Sequence, residues 1–207
     1  MKKFFAIIAV AIAAVFTANT ADAQTRANQE AKTVSIRPYV GLSATAVVDS
    51  DVDVEAGGGV TLGADAQYMF NNWFGVSAGA EFINGGWKFK EGVAKGSEVT
   101  INTLGAPILA NFYVCKGLDI KLGVKPTFIL NSDVTKDDAG NKHELKGNDE
   151  LNTFDVNGVI GISYEHKNFV FELRENVCTS NLLKHDDSSY DKAVKMGNVS
   201  LSIGYRF

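Results

Sequence analysis

The chain has 207 residues, 45% of them apolar, 21% charged and 10% aromatic, with 20 glycines, 3 prolines, 2 cysteines and a formal charge of −4. That length fits one domain, and the ordinary apolar fraction excludes both a disordered tail and a helical protein with several apolar spans of about 20 residues. The mildly acidic balance offers no basic stripe to a phosphate backbone, so nucleic acid is not an expected partner.

Residues 1–23 read as a cleaved signal peptide. Lys2 and Lys3 form a charged start, Phe4 to Phe16 an apolar stretch too short to span a bilayer, and Ala21-Asp22-Ala23 a small-residue cleavage site before Gln24. No cysteine follows that site to carry a lipid, and the exported chain meets an oxidising compartment. Residues 24–33 are a short periplasmic leader, and 34–207 carry one repeated pattern.

That pattern is apolar–polar alternation with period 2, recurring about eight times, with no helix-period segment of useful length. Ile36, Val40 and Leu42 alternate with Arg37, Tyr39, Gly41 and Ser43. Val60, Leu62, Ala64, Ala66 and Tyr68 oppose Thr61, Gly63, Asp65 and Gln67, and Phe74 to Phe82 oppose Gly75, Ser77, Gly79 and Glu81. Leu104 to Phe112 follow, although Leu109 breaks their polar face. Next come Leu118 to Phe128 against Asp119, Lys121, Gly123, Lys125 and Thr127, then Phe154 to Tyr164 against Asp155, Asn157, Gly161 and Ser163. Phe169, Phe171 and Leu173 alternate with Val170, Glu172 and Arg174; Glu175 then falls on the apolar face, which predicts a bulge or a position at the strand's outer end. Val199, Leu201, Ile203, Tyr205 and Phe207 close the series.

Connections alternate between long and short. The polar stretches 49–59, 84–98, 131–153 and 180–195 are long, whereas Phe70-Asn71-Asn72, Cys115-Lys116-Gly117 and Glu165 to Asn168 are tight. In a meander this puts all long loops at one end. It is the topology of an eight-stranded antiparallel up-and-down transmembrane β-barrel with short periplasmic turns and long extracellular loops. A spanning strand needs about 9 to 11 residues, so eight strands and their loops use the whole of 34–207.

A soluble lipocalin-like barrel carries the same alternation with its apolar face inside. Two features favour the membrane. The polar face is mostly Gly, Ser, Thr and Asn, small enough to fill an eight-stranded lumen. Its charges also balance: Arg37, Lys121, Lys125, Arg174 and Arg206 against Asp65, Glu81, Asp119, Asp155 and Glu172, a paired network suited to a closed interior. Aromatic residues gather near strand ends. Tyr68, Phe70, Trp73, Phe74, Phe112, Tyr113, Tyr164, Phe169, Phe171, Tyr205 and Phe207 mark the turn end, and Phe82, Trp87, Phe89, Phe128 and Phe154 the loop end, as two interfacial girdles.

The signal peptide, the meander and the terminal Gly204-Tyr205-Arg206-Phe207 resemble small Gram-negative outer-membrane barrels. In that group the last strand ends in phenylalanine read by the barrel-assembly machinery, so the resemblance implies that Tyr205 and Phe207 are the assembly signal. Thr103-Leu104-Gly105-Ala106-Pro107-Ile108-Leu109 is similar to the Leu-x-x-Pro-hydrophobic segment of the PorT-like, or porin-family, outer-membrane β-barrel domain. Leu173-Arg174-Glu175-Asn176 lies where that family has an Arg-aromatic pair, with Glu175 replacing the aromatic. The implied location is the cell outer membrane, amid its lipid and lipopolysaccharide.

All three prolines, Pro38, Pro107 and Pro126, fall in strands, and the central Pro107 predicts a bulge or a local irregularity. Cys115 and Cys178 lie near opposite ends and read as free. Chemistry is sparse. His143, His166 and His185 form no cluster, and His185 with Ser188 or Ser189 and Asp186 or Asp187 reads as a solvated loop tip rather than a catalytic site. The acidic stretches 49–53 and 136–141 read as solvated loops rather than calcium sites. No cofactor, metal or enzymatic activity is expected. The first function read from this is a monomeric structural or interaction protein, its lumen plugged by side chains and its extracellular loops meeting an unidentified partner. A narrow channel and a carrier of an apolar ligand with a side opening near Pro107 are the alternatives.

Overall fold

The computed structural model describes residues 29–48, 54–90, 96–135, 142–143, 153–178 and 195–207, and the alternating segments are strands throughout. They are β1 (Val34–Val48), β2 (Val54–Met69), β3 (Phe74–Phe89), β4 (Glu98–Gly105), β5 (Ile108–Cys115), β6 (Leu118–Thr135), β7 (Lys142–His143), β8 (Phe154–His166), β9 (Phe169–Cys178) and β10 (Lys195–Tyr205). All pairings are antiparallel, and β1 pairs with both β2 and β10, so the sheet closes on itself. β4 and β5 run end to end between β3 and β6, and β7 is a short arm on β6; the barrel therefore has eight staves. Closure leaves no sheet edge, the condition for taking strands through hydrocarbon.

Parity sets the faces. On β1, Leu42 is 70% exposed and Val34 68%, whereas Arg37 is 2% exposed. The apolar set faces outward and the polar set fills the lumen, the reverse of a soluble barrel. At the turn end the outward rings interlock: Phe74 lies 5.2 Å from Phe112, Tyr68 4.9 Å from Phe70, and Phe169 5.3 Å from Tyr205. At the loop end Phe128 and Phe154 meet at 5.0 Å. The turns have local causes. Asn71 Oδ1 accepts the amides of Trp73 and Phe74, folding the β2–β3 turn, and Gly117 supplies the positive φ of +79° needed between β5 and β6.

Several expectations change. The stretches 49–59, 84–98 and 131–153 are not loops alone, because β2, β3, β4 and β6 rise into them. β6 has 18 residues and β3 has 16, whereas β9 has 10, so one side of the barrel stands well above the other. Above the Phe128–Phe154 level the polarity inverts. Ile83, Trp87, Val99 and Ile101 turn inward and are buried, while Asn84, Asn102 and Asn131 form an outward ladder with 2.7 Å bonds. Lys88 and Glu98, exposed and opposite one another, continue that polar face. Both bulges of this region, in β2 between Gly57 and Val60 and opposite Asn102 in β6, sit at the ladder. The inversion marks where the wall leaves hydrocarbon for water. It also hid these strands, since a helix-free segment with a polar outer face reads as a loop.

Trp87 therefore does not belong to the outer girdle; its odd position in β3 is the inward parity of Glu81 and Ile83. Tyr113 likewise faces inward, away from the inner girdle. The irregularity expected at Pro107 is a break in the strand, β4 ending at Gly105 and β5 starting at Ile108, and not a bulge. The pairings of β4 and β5 with β3 stay in one register across it, and Gly79 N donates to Pro107 O at 3.1 Å while Ala106 N donates to Pro126 O at 2.8 Å. Two prolines each omit one ladder bond there, and the stave remains continuous. Glu175 causes no bulge either: β8, β9 and β10 pair without a shift, so it stays on the outer face.

The inversion predicts distinct surroundings for the two tryptophans. In vesicles with brominated acyl chains, Trp87→Phe, which retains Trp73, is strongly quenched, and Trp73→Phe, which retains Trp87, is quenched little. Equal quenching would contradict the assignment.

Candidate functional site

Six staves send charged or polar side chains into one layer at mid-height. β1 supplies Arg37 and Tyr39, β2 Asp65, β3 Glu81, β6 Asp119, Lys121 and Lys125, β8 Ser163, and β9 Glu172 and Arg174. All are buried. Glu172 is one hub: it accepts from Arg37 Nη1 at 2.5 Å, Lys121 Nζ at 2.5 Å and Arg174 Nε at 2.6 Å. Glu81 is the other, accepting from Lys125 Nζ at 2.7 Å, Arg174 Nη1 at 2.6 Å and the Tyr39 hydroxyl at 3.0 Å. Arg174 joins the two hubs. Asp65 receives the Arg37 guanidinium, and Asp119 accepts from Ser163 and lies 3.9 Å from Lys121.

Four cations thus face four carboxylates, and the struts run across the lumen from β9 to β3 and from β6 to β3 and β9. The neighbours are small where a long side chain must lie flat. A Cβ on Gly63 would stand 2.5 Å from the Tyr39 ring, and one on Gly105 would stand 2.8 Å from Lys125 Cδ. Tyr39 in turn lies under two guanidiniums, with Arg37 at 5.1 Å and Arg174 at 5.4 Å from its centroid.

Arg206 is not part of this belt. It closes the turn end, paired with Glu165 at 3.0 Å and donating to Gln67 at 2.7 Å, Tyr113 at 3.1 Å and Ser35 at 3.0 Å. From the leader, Gln29 also reaches Glu165 at 2.9 Å. Asp155 stands higher, opposite Thr127, where its Oδ1 accepts the amide of Val156. Above the belt Asn198 donates to Thr45 at 2.8 Å, and Asn157 to Thr127 at 2.9 Å. The space between these amides and Ile83, Ile101 and Met196 is about 10 Å³, room for one water. Tyr205 and Phe207 lie outward at the turn end, ring to ring at 4.8 Å, with Phe207 bonded both ways to the backbone of Ile36.

Sequence reasoning passed over Tyr39, Gln67, Tyr113, Ser163 and Glu165. All five occupy inward positions of their strands: Tyr39, Gln67 and Ser163 already stand on the polar faces of the sequence pattern but carry no charge to count, whereas Tyr113 reads there as a girdle residue and Glu165 as part of a turn. Cys115 and Cys178 are both free thiols. Among the described residues no group of His, Cys, Asp and Glu is disposed to hold a metal. His185, Ser188, Ser189, Asp186 and Asp187 and the acidic stretches 49–53 and 136–141 lie outside the described residues, as do residues 1–28.

Removing a hub should be far worse than removing a mouth contact. Glu172→Ala leaves Arg37, Lys121 and Arg174 facing one another without their shared anion, and a loss of about 3–5 kcal/mol is expected. Glu165→Ala, at the rim, should cost about 1 kcal/mol. Urea titration of folding into lipid vesicles measures both, and equal costs would refute the hub.

No curated protein matches the chain in sequence. Among solved structures, the attachment invasion locus protein Ail of Yersinia pestis superposes with a TM-score of 0.53 at 18% identity, covering 86% of this chain and 100% of that one. Neisserial surface protein A (NspA) gives 0.53 at 12% identity, covering 84% and 97%. These likenesses extend to the fold. The family described as "Outer membrane protein beta-barrel domain" matches residues 22–178, most of the chain. With its closed eight-stave wall, lipid-facing exterior and polar interior, the chain belongs to the outer membrane protein β-barrel domain family.

Proposed function

We propose that this outer-membrane protein is a plugged barrel with a structural or interaction role, working through its exposed surfaces rather than by passing solutes. The observation that carries the reading is the belt: ion pairs of 2.5–2.7 Å bridge the lumen, and the space lined by Thr45, Ile83 and Lys125 just above them has room for one water. Freeing a path through it would strip several charges of their partners at once. Contact with an extracellular partner then falls to the loops and to the raised polar wall of β2, β3, β4 and β6. No catalysis or cofactor enters this reading.

Export by cleavage before Gln24, recognition of Tyr205 and Phe207 by the barrel-assembly machinery, and an outer surface seated in lipid and lipopolysaccharide complete the proposal. The Leu104-x-x-Pro107-hydrophobic segment supports a finer kinship with PorT-like porin-family barrels. One observation favours a second reading, the carriage of a small apolar ligand. The upper lumen is walled by Ile83, Trp87, Val99 and Ile101, and the buried Trp87 Nε1 has no hydrogen-bond partner.

Planar-bilayer recording decides between a plug and a channel. The refolded protein should insert, as protease protection reports, yet give no discrete openings, and Arg174→Ala should create them or prevent folding. Steady openings in the unaltered protein that change with Arg174→Ala would instead establish a channel.

A further inference from the structure

One charged side chain faces lipid. Between the two aromatic girdles, Glu175 is the only Asp, Glu, Lys or Arg on the outer face among the described residues. Its neighbours across the ladder are Ile160 of β8 and Val199 of β10, both outward, while Arg174 and Asn176 on either side turn into the lumen. Ile160 lies six residues from Phe154 at the loop end and four from Tyr164 at the turn end, so Glu175 sits near the middle of the apolar band. Its Oε2 has no hydrogen-bond partner.

An ionised carboxylate at that depth is costly, and ionisable groups in hydrocarbon pair with one another or with a partner's polar groups. The neutral carboxyl carries one donor and one acceptor, so it is complementary to itself. A two-fold axis along the membrane normal keeps depth unchanged, so a second copy necessarily presents the same group at the same height. The surface beside Glu175 also permits close approach. Val177, the next outward residue of β9, lies between Gly158 and Gly197, and a Cβ on Gly158 would meet nothing nearer than 4.0 Å.

We propose that β8, β9 and β10 form the interface of a two-fold dimer of this chain, with the two Glu175 carboxyls hydrogen-bonded to each other across the axis. This replaces the monomer expected from the sequence. It is independent of whether the lumen conducts.

Energy transfer between donor- and acceptor-labelled copies of the full-length protein, refolded into phosphatidylcholine vesicles and diluted stepwise with lipid, tests it. The native chain and Glu175→Gln, which keeps a donor and an acceptor, should associate. Glu175→Leu, which suits lipid better and should fold at least as stably by heat-dependent gel mobility, should need at least tenfold more protein per lipid for the same transfer. Transfer at the random-encounter level in the native chain would overturn the dimer. So would equal association of Glu175→Leu, which would assign the contact to apolar packing alone, or cross-linking of this face in cells only to a different chain.

Discussion

The barrel rests on a buried arrangement of charge that has to be satisfied internally. An outward face taken up by lipid leaves the polar side chains of the spanning wall, Glu175 apart, pointing into a space too narrow for bulk water, and Glu172 and Glu81 solve the problem by each gathering several cations. Arg174 is the shared member, bonded to both hubs and stacked over Tyr39. Because its partners come from β9 and β3, the belt both neutralises the interior and braces staves that do not touch in the sheet. Buried pairs of this kind add little net stability over an apolar core, but they are severe when broken, so they specify one closed arrangement.

The rest of the wall follows from where water begins. Within hydrocarbon the apolar residues face out and the belt faces in. At the Asn84–Asn102–Asn131 ladder the outer face turns polar, and the lumen becomes apolar with Ile83, Trp87, Val99 and Ile101. Two bulges at that level adjust the wall as it passes from one solvent to another. The molecule is thus a membrane barrel below the ladder and resembles a soluble barrel above it on its tall side, and Glu175 is the exception to the apolar exterior on its short side.

The fold was legible because period 2 and the alternation of long and short connections are strong signals that need no tertiary information. Arg37, Asp65 and Glu172 were likewise readable as inward by parity. Which charge meets which was not, since a strut such as Arg174 to Glu81 joins residues 93 apart, and only barrel closure brings them together. Uncharged members such as Tyr39 and Ser163 gave no charge to count, and Glu165 was hidden by its assignment to a turn. The strand tops were missed for a different reason: the pattern continues there with inverted sign, and Trp87 reads as a girdle residue only if its parity is ignored. Pro107 was readable as an irregularity but not as its kind: a missing N–H interrupts the strand at 106–107 without forcing a residue out of register.

A double-mutant cycle between Glu81 and Arg174 tests the strut account most directly. Both single alanine variants and the pair would be unfolded by urea in vesicles of one lipid composition, so that losses unrelated to the contact cancel. The account predicts a coupling of about 2–3 kcal/mol, with the double variant costing much less than the sum of the singles. A coupling near zero would mean that the two side chains do not brace the lumen together, and the belt could not be what closes it.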